Sequence, residues 1–272
     1  MHKSLIIVTA LLGAVASTLP AVAQFATRVE GYTAGSNPAP GGYTDPSVAL
    51  GEPSRVTPGQ FGGPVTPFAA PYLNSQVVSI GQGGSLTVEF ANPVQNNPLN
   101  PFGFDFLIFG GTSFVDFDWP NGVADGTGST FGENSGSTRV YVGNDVNNLF
   151  LLNPSLAPVV DGLFPTDGAG NFHRPVNPAL NNASFASQTL AGIRTLYNGS
   201  GGGTGFDLAW AVDAQNNPVN LASARFVRVE VLTGRSEIDA FSAVMVPEPT
   251  VFALAVAGLA GLVCCRRKRQ GW

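Results

Sequence analysis

The sequence predicts an all-β fold, an antiparallel β-sandwich with long loops. Three observations carry that expectation. Helical periodicity is scarce along the 272 residues. Short runs in which apolar and polar residues alternate recur, each bounded by turn residues. Glycine (34) and proline (21) are plentiful while only 11% of residues are charged, and with 44% apolar content this is not the composition of a solvated, disordered chain.

The strand signals follow in chain order. Gln76–Ile80 is an apolar run, followed by Gly81-Gln82-Gly83-Gly84 and then Ser85–Phe90. In the second run Leu86, Val88 and Phe90 share one face and Ser85, Thr87 and Glu89 the other, the period of a half-buried strand. The glycine-rich link reads as a turn, so the two runs are expected to form a hairpin. Asp105–Phe109 ends at Gly110-Gly111, and Thr138–Val142 ends at Gly143-Asn144-Asp145. Phe206–Val212, Arg225–Leu232 and Ile238–Val244 give three late strands, with Arg228 and Glu230 expected on the solvent side. Helix is expected around Ala186–Tyr197, where Leu190, Ile193 and Leu196 share a face. Gly31–Pro71 and Asn144–Asn181 read as loops. No fixed-period repeat is present, and neither loop has the character of a linker, so residues 24–245 are read as one domain.

The two ends differ from this body. Residues 1–23 read as a signal helix: basic Lys3, an apolar stretch from Leu5 to Ala16, and Ala21-Val22-Ala23 as a cleavage pattern in which Ala21 and Ala23 are the small residues. Residues 246–272 read as a tail in three parts. Val246, Pro247, Glu248 and Pro249 come first. An uncharged stretch, Thr250–Cys265, follows as a transmembrane helix, shorter than the roughly 20 residues of a comfortable span. Arg266, Arg267, Lys268 and Arg269 close it as a membrane-stop cluster, held on the cytoplasmic side by the positive-inside rule. Gly258 and Gly261 in the span are read as ordinary small residues rather than a packing motif.

The order Val-Pro-Glu-Pro, short apolar helix, arginine-rich end resembles the PEP-CTERM sorting signal. That resemblance covers Val246–Trp272 and implies recognition and cleavage near Pro247-Glu248-Pro249 by an exosortase. It further implies transient residence in the inner membrane, then delivery to the cell surface, outer envelope or medium of a bacterium that makes exopolysaccharide. A looser resemblance runs through the body: Ala49–Pro53, Val78–Gly81, Gly84–Phe90, Phe104–Phe109, Gly205–Leu208, Phe226–Val229 and Glu237–Phe241. It is similar to bacterial cell-surface proteins with a jelly-roll, carbohydrate-binding-like sandwich, which implies a jelly-roll-like fold and leaves function open.

Charge and cysteine usage narrow the chemistry. Both cysteines, Cys264 and Cys265, lie in the tail, so the body has no disulfide, thiol nucleophile or thiolate ligand. Setting aside Lys3 and the four basic residues of the tail leaves eight cations, all arginine. Setting aside Glu248 leaves 17 acidic residues, a formal charge of −9 for the body. An acidic body without a basic patch excludes nucleic acid as a partner and favours divalent cations over anions. His173 is the one histidine of the body and reads as a solvated loop residue, since no Gly-x-Ser-x-Gly elbow pairs with it. Asp105, Asp116, Asp118, Asp207 and Asp239 are candidate ligands for calcium, the one cofactor such carboxylates suggest. For Asp207 and Asp239 the competing reading is an Asp that bonds backbone N–H groups at a strand end. Trp119 and Trp210 are candidate stacking platforms for sugar rings, with core packing as the alternative. Gly199–Gly205 lacks the Gly-Lys-Ser/Thr ending of a phosphate cradle and reads as a flexible loop.

Together these readings lead to an exported, non-catalytic structural or adhesive protein, sorted by an exosortase and associated with exopolysaccharide. A calcium-assisted glycan-binding module is the first alternative, and a polysaccharide-active enzyme using a carboxylate pair is the second.

Overall fold

The computed structural model describes residues 24–132, 136–161 and 163–245. The signal segment, its Ala21 and Ala23, and the whole tail from Val246 to Trp272 lie outside these residues. No helix among the described residues is long and apolar enough to cross a membrane.

The chain is mainly β-structure. In order it forms β1 (Ala26–Thr33), β2 (Val56–Thr57), β3 (Gly63–Pro64), β4 (Val78–Gly81), β5 (Ser85–Gln95), β6 (Phe106–Gly110), β7 (Ser113–Phe114), β8 (Thr130–Phe131), β9 (Thr138–Asp145) and β10 (Asn148–Leu152). Two helices follow, α1 (Asn182–Phe185) and α2 (Leu190–Tyr197), and then β11 (Thr204–Phe206), β12 (Ala211–Val212), β13 (Ser223–Val231) and β14 (Arg235–Ala243). A six-stranded sheet runs β1-β5-β13-β9-β10-β12 and a four-stranded sheet runs β11-β6-β14-β4. Every strand pair in both sheets is antiparallel.

Register explains the six-stranded sheet. Val29, Val88, Val227 and Val142 stand opposite one another across four strands, and so do Tyr32, Leu86, Val229 and Val140. Because side chains alternate along each strand, these rows put one apolar face inward. They join Val78, Ile80, Phe106, Ile108, Phe206, Ile238 and Phe241 of the four-stranded sheet in a single buried cluster. The two sheets thus bury one core between them. Phe106 and Phe206, paired across β6 and β11, stack with ring centres 5.3 Å apart. On the opposite face of the large sheet the expected polar residues reach water. Arg28 and Arg225 both approach Glu89, and the Tyr141 hydroxyl donates to Glu230 at 2.9 Å.

The four-stranded sheet is buried on both faces. All five residues of β6 and all four of β4 are buried. Leu107 and Phe109 point away from the shared core into a second cluster with Phe104, Phe172 and Val244. A third cluster, around Phe114, Phe185, Ile193 and Tyr197, lies under α2. The helix expected near Ala186–Tyr197 begins at Leu190, where the Thr189 hydroxyl accepts the Gly192 N–H, and ends at Asn198 in the left-handed conformation. Ile193 is fully buried as its apolar face requires, while Leu196 is partly buried.

Several local expectations are corrected. The runs Gln76–Ile80 and Ser85–Phe90 do not form a hairpin. β4 lies in the small sheet and β5 in the large one, so Gly81–Gly84 crosses between layers. Phe206–Val212 is not one strand: Asp207 caps a 3-10 turn, Leu208–Trp210, which carries the chain from β11 in one sheet to β12 in the other. The supposed loop Gly31–Pro71 begins inside β1 and includes β2 and β3, and the supposed loop Asn144–Asn181 contains β10.

The crossover tests a close approach. A Cβ on Gly81 would lie 2.1 Å from the Ser36 carbonyl oxygen, whereas nothing lies within 4 Å of a Cβ on Gly63. Gly81→Ala is expected to cost about 2 kcal/mol or more by overpacking against backbone, and Gly63→Ala to stay within about 0.5 kcal/mol. Urea unfolding midpoints of the two variants check this; equal midpoints would refute the crowding.

Candidate functional site

The five candidate calcium ligands do not converge on one place. Asp116 accepts the N–H groups of Asp118 and Val123 through Oδ1, and Asp118 accepts from the Asn121 side-chain amide, so both organise their own turn. Asp105 is buried at the start of β6. Its Oδ1 accepts the Asn97 N–H and the Asn100 side-chain amide, and its Oδ2 accepts the Leu208 N–H, each at 2.9 Å. Asp207 lies beside it and caps the 3-10 turn through the Ala209 N–H at 2.7 Å. Asp239 is buried in β14, where its two oxygens accept the N–H and hydroxyl of Ser54, both at 2.8 Å. Among the described residues no group of three or more His, Cys, Asp or Glu side chains is placed to hold a metal. Asp207 and Asp239 each accept a backbone N–H group, as the competing reading for those two has it, and so do Asp105 and Asp116.

Burial has a strong effect on these acids. Removal from water pushes Asp105 up to about 6, and neighbouring Asp207, itself raised chiefly by burial, adds to it. Asp161, which the sequence did not single out, is buried with a left-handed backbone, φ 58°. Its Oδ1 accepts the Thr112 N–H at 3.1 Å, and its Oδ2 has no hydrogen-bond partner among the described residues. Burial raises it to about 6. Asp239 is raised to about 7, first by burial and in smaller part by the charge of Asp161. Another buried acid is handled differently: Asp167 receives Nε and Nη2 of Arg194 at 2.7 and 2.9 Å, a two-pronged ion pair that fastens α2 to the loop before it.

The aromatic candidates separate. Trp119 is 81% exposed and Phe117 beside it 82% exposed, so Trp119 is free to meet a ligand. Trp210 is not a free platform. It packs edge-on against Phe104 with ring centres 5.8 Å apart and contacts two of the buried clusters.

His173 is not the solvated residue the sequence suggested. Its ring lies 4.7 Å from that of Phe25, and Nδ1 is 2.7 Å from the Ser242 hydroxyl and 2.9 Å from the Ala243 carbonyl. Burial lowers its pKa. Ser242 is fully buried in β14, so this serine–histidine contact does not face a substrate. The run Gly199–Gly205 is likewise not an open flexible loop. Residues 200–205 are buried, and a Cβ on Gly203 would sit 2.8 Å from the Phe109 ring.

A cavity of about 400 Å³ opens near the end of β14, bordered by Phe102, Asn171, Arg174, Asn177, Asn198 and Met245. The sequence reading did not find it, because its lining comes from segments more than 140 residues apart. A usable signal was Arg174 itself, one of only eight cations in an acidic body. No family model matches the chain, and no curated protein matches it significantly.

The buried acids set a pH dependence. Asp105, Asp161 and Asp239 all hold their protons to higher pH in the folded chain than in the unfolded one. Their favourable contribution is therefore complete below about pH 4 and is lost as pH rises through about 6 to 7. His173, lowered by burial, acts in the opposite sense as pH rises through its ordinary value, but one histidine against three acids leaves a net fall. The melting temperature is expected to drop by about 5 °C between pH 5 and pH 8. Asp239→Asn, which keeps one acceptor for Ser54, is expected to flatten that slope. Thermal scans across this range check it, and a melting temperature independent of pH in the native chain would refute it.

Proposed function

We propose that this chain is an exported protein of a bacterial envelope, sorted by an exosortase and serving a non-catalytic structural or adhesive role in an exopolysaccharide matrix. In this reading the two-sheet body is a jelly-roll-like sandwich, residues 250–265 hold the precursor in the inner membrane during transit, and cleavage near Pro247-Glu248-Pro249 releases it toward the surface. The observation that carries the reading is the order of parts at the C-terminus: Val246–Pro249, an uncharged stretch, then Arg266–Arg269.

The body's geometry is compatible with it. The Ala243 N–H donates to the Gln24 carbonyl at 2.9 Å, so the segments that precede and follow the body attach at one place on it. A cysteine-free sandwich needs no oxidative folding step after export. The exposed Trp119–Phe117 tip offers an apolar ring surface of the kind that meets the CH face of a sugar. Deleting Val246–Trp272 and following the protein in membrane, envelope and medium fractions tests the proposal. Loss of processing and of surface display is expected; unchanged display and unchanged processing would overturn it.

A further inference from the structure

We propose that the cavity beside the end of β14 is a binding site for an acidic saccharide, a sugar carrying a carboxylate, held by Arg174, the amides of Asn171 and Asn177, and the ring of Phe102. The proposal deepens the matrix role proposed above, on which its choice of a saccharide rests, and it is tested separately from surface display.

The donors come first. Arg174 lines the cavity and makes no ion pair with any described carboxylate, although the body holds about two acids for each cation. By contrast Arg28, Arg55, Arg194 and Arg225 each have an acidic partner within 4 Å. Arg139 and Arg228 have no ion pair to a described carboxylate either, but Arg139 is exposed and Arg228 lies over the Tyr141 ring, whereas Arg174 is half-buried beside two side-chain amides. A half-buried guanidinium at a cavity with no described carboxylate bound to it is open to a ligand, and its planar fork matches a carboxylate. Asn171 and Asn177 stand beside it, and their side-chain oxygens are already committed. Oδ1 of Asn171 accepts the His173 N–H at 2.8 Å, and Oδ1 of Asn177 accepts the Ala179 N–H at 3.0 Å. Those bonds fix which end of each amide is which and leave the NH₂ groups as donors. The polar lining is thus rich in donors, and its complement is a ligand rich in oxygen acceptors and bearing negative charge.

The ring comes second. Phe102 is 54% exposed and has φ 61°, a left-handed conformation that a bulky side chain rarely adopts. Backbone strain of this kind concentrates where a side chain is presented for a purpose. Here it follows Pro101 and precedes Gly103, and it holds an aromatic face at the cavity rim instead of in the core. A ring of that kind pairs with the apolar CH face of a pyranose, while the amides and guanidinium meet its hydroxyls and carboxylate. At about 400 Å³ the space suits a short oligosaccharide end rather than a protein segment.

Calorimetry on the full chain in detergent, with trigalacturonate as ligand, tests this. Maltotriose serves as the uncharged control and inorganic phosphate as the bare anion. Trigalacturonate is expected to bind at least tenfold more tightly than maltotriose. Arg174→Gln should lower trigalacturonate affinity at least tenfold, to the level of maltotriose. Phe102→Gly should weaken both sugars at least tenfold while leaving the melting temperature equal or higher, because glycine adopts this backbone freely. No heat with millimolar trigalacturonate, binding unchanged in both variants, or phosphate binding as tightly as the sugar acid would each overturn the proposal. None of those results would alter the localisation by which surface display is judged.

Discussion

A sheet that must be buried on both faces leaves its surroundings little freedom, and that condition governs this molecule. The run Phe106-Leu107-Ile108-Phe109 sends alternate side chains to opposite faces, and all four are fully buried. One face meets the large sheet. The other would present Leu107 and Phe109 to water if nothing covered it. At roughly 25 cal/mol for each square ångström of apolar surface removed from water, covering such rings is worth several kilocalories per mole. The chain covers them with the segment between β10 and β11. Phe172 packs edge-on against Phe109 with centres 5.2 Å apart, and the glycine run beside it comes close enough that no Cβ fits over the ring. The length of that segment, the small helices it carries and its glycines follow from the need for a third layer.

The same layering explains the buried acids. Loops that cover a sheet bring their backbone N–H groups inside with them, and each needs an acceptor. Asp105 accepts from Asn97, Asn100 and Leu208, which lie on two such segments, and Asp239 accepts from Ser54. A carboxylate can serve several donors at once and so stitches loops to strands efficiently. The cost appears as raised pKa values, since these groups have few or no cations beside them. Asp167 shows the other solution, a guanidinium bound through two contacts, which keeps the charge at the price of fixing Arg194 in place. The outer loops are therefore held by polar contacts more than by apolar area, in contrast to the valine-rich core between the sheets.

What the sequence made legible follows from how far apart the interacting residues lie. β5, β9 and β13 were readable because alternation is a local property, and one face of the large sheet is in water. β6 was readable as a strand from its apolar run, but its double burial was not, since the covering residue Phe172 is more than 60 positions away. The hairpin expected at Gly81–Gly84 failed for a related reason. Two strands joined by a short glycine link pair in a hairpin or cross between layers, and only the registers of β4 with β14 and of β5 with β13 distinguish the cases. β1 escaped notice because register shifts between Ala26 and Arg28 and between Val29 and Gly31 break the alternation, so its core-packed residues Ala26, Val29 and Tyr32 recur every third position instead of every second. Among the candidate site residues, Asp116 and Asp118 act within their own turn, as a local reading can foresee. The nearness of Asp161 to Asp239 is a long-range fact with no local sign.

The end of β14 gathers more of the molecule's distinctive features than any other region. Ala243 bonds Gln24, Val244 bonds Asp105, and Met245 bonds His173, so the last described residues are tied in turn to the segment just before β1, to the residue just before β6 and to the covering layer. β14 lies between β6 and β4 and not at the sheet's rim. The cavity with Arg174 and Phe102 opens beside this junction, with Met245 in its wall. Its two halves come from the loop before β6 and from the covering layer. Filling it would therefore link the small sheet to the segments packed over it, at the point where the body meets the rest of the chain.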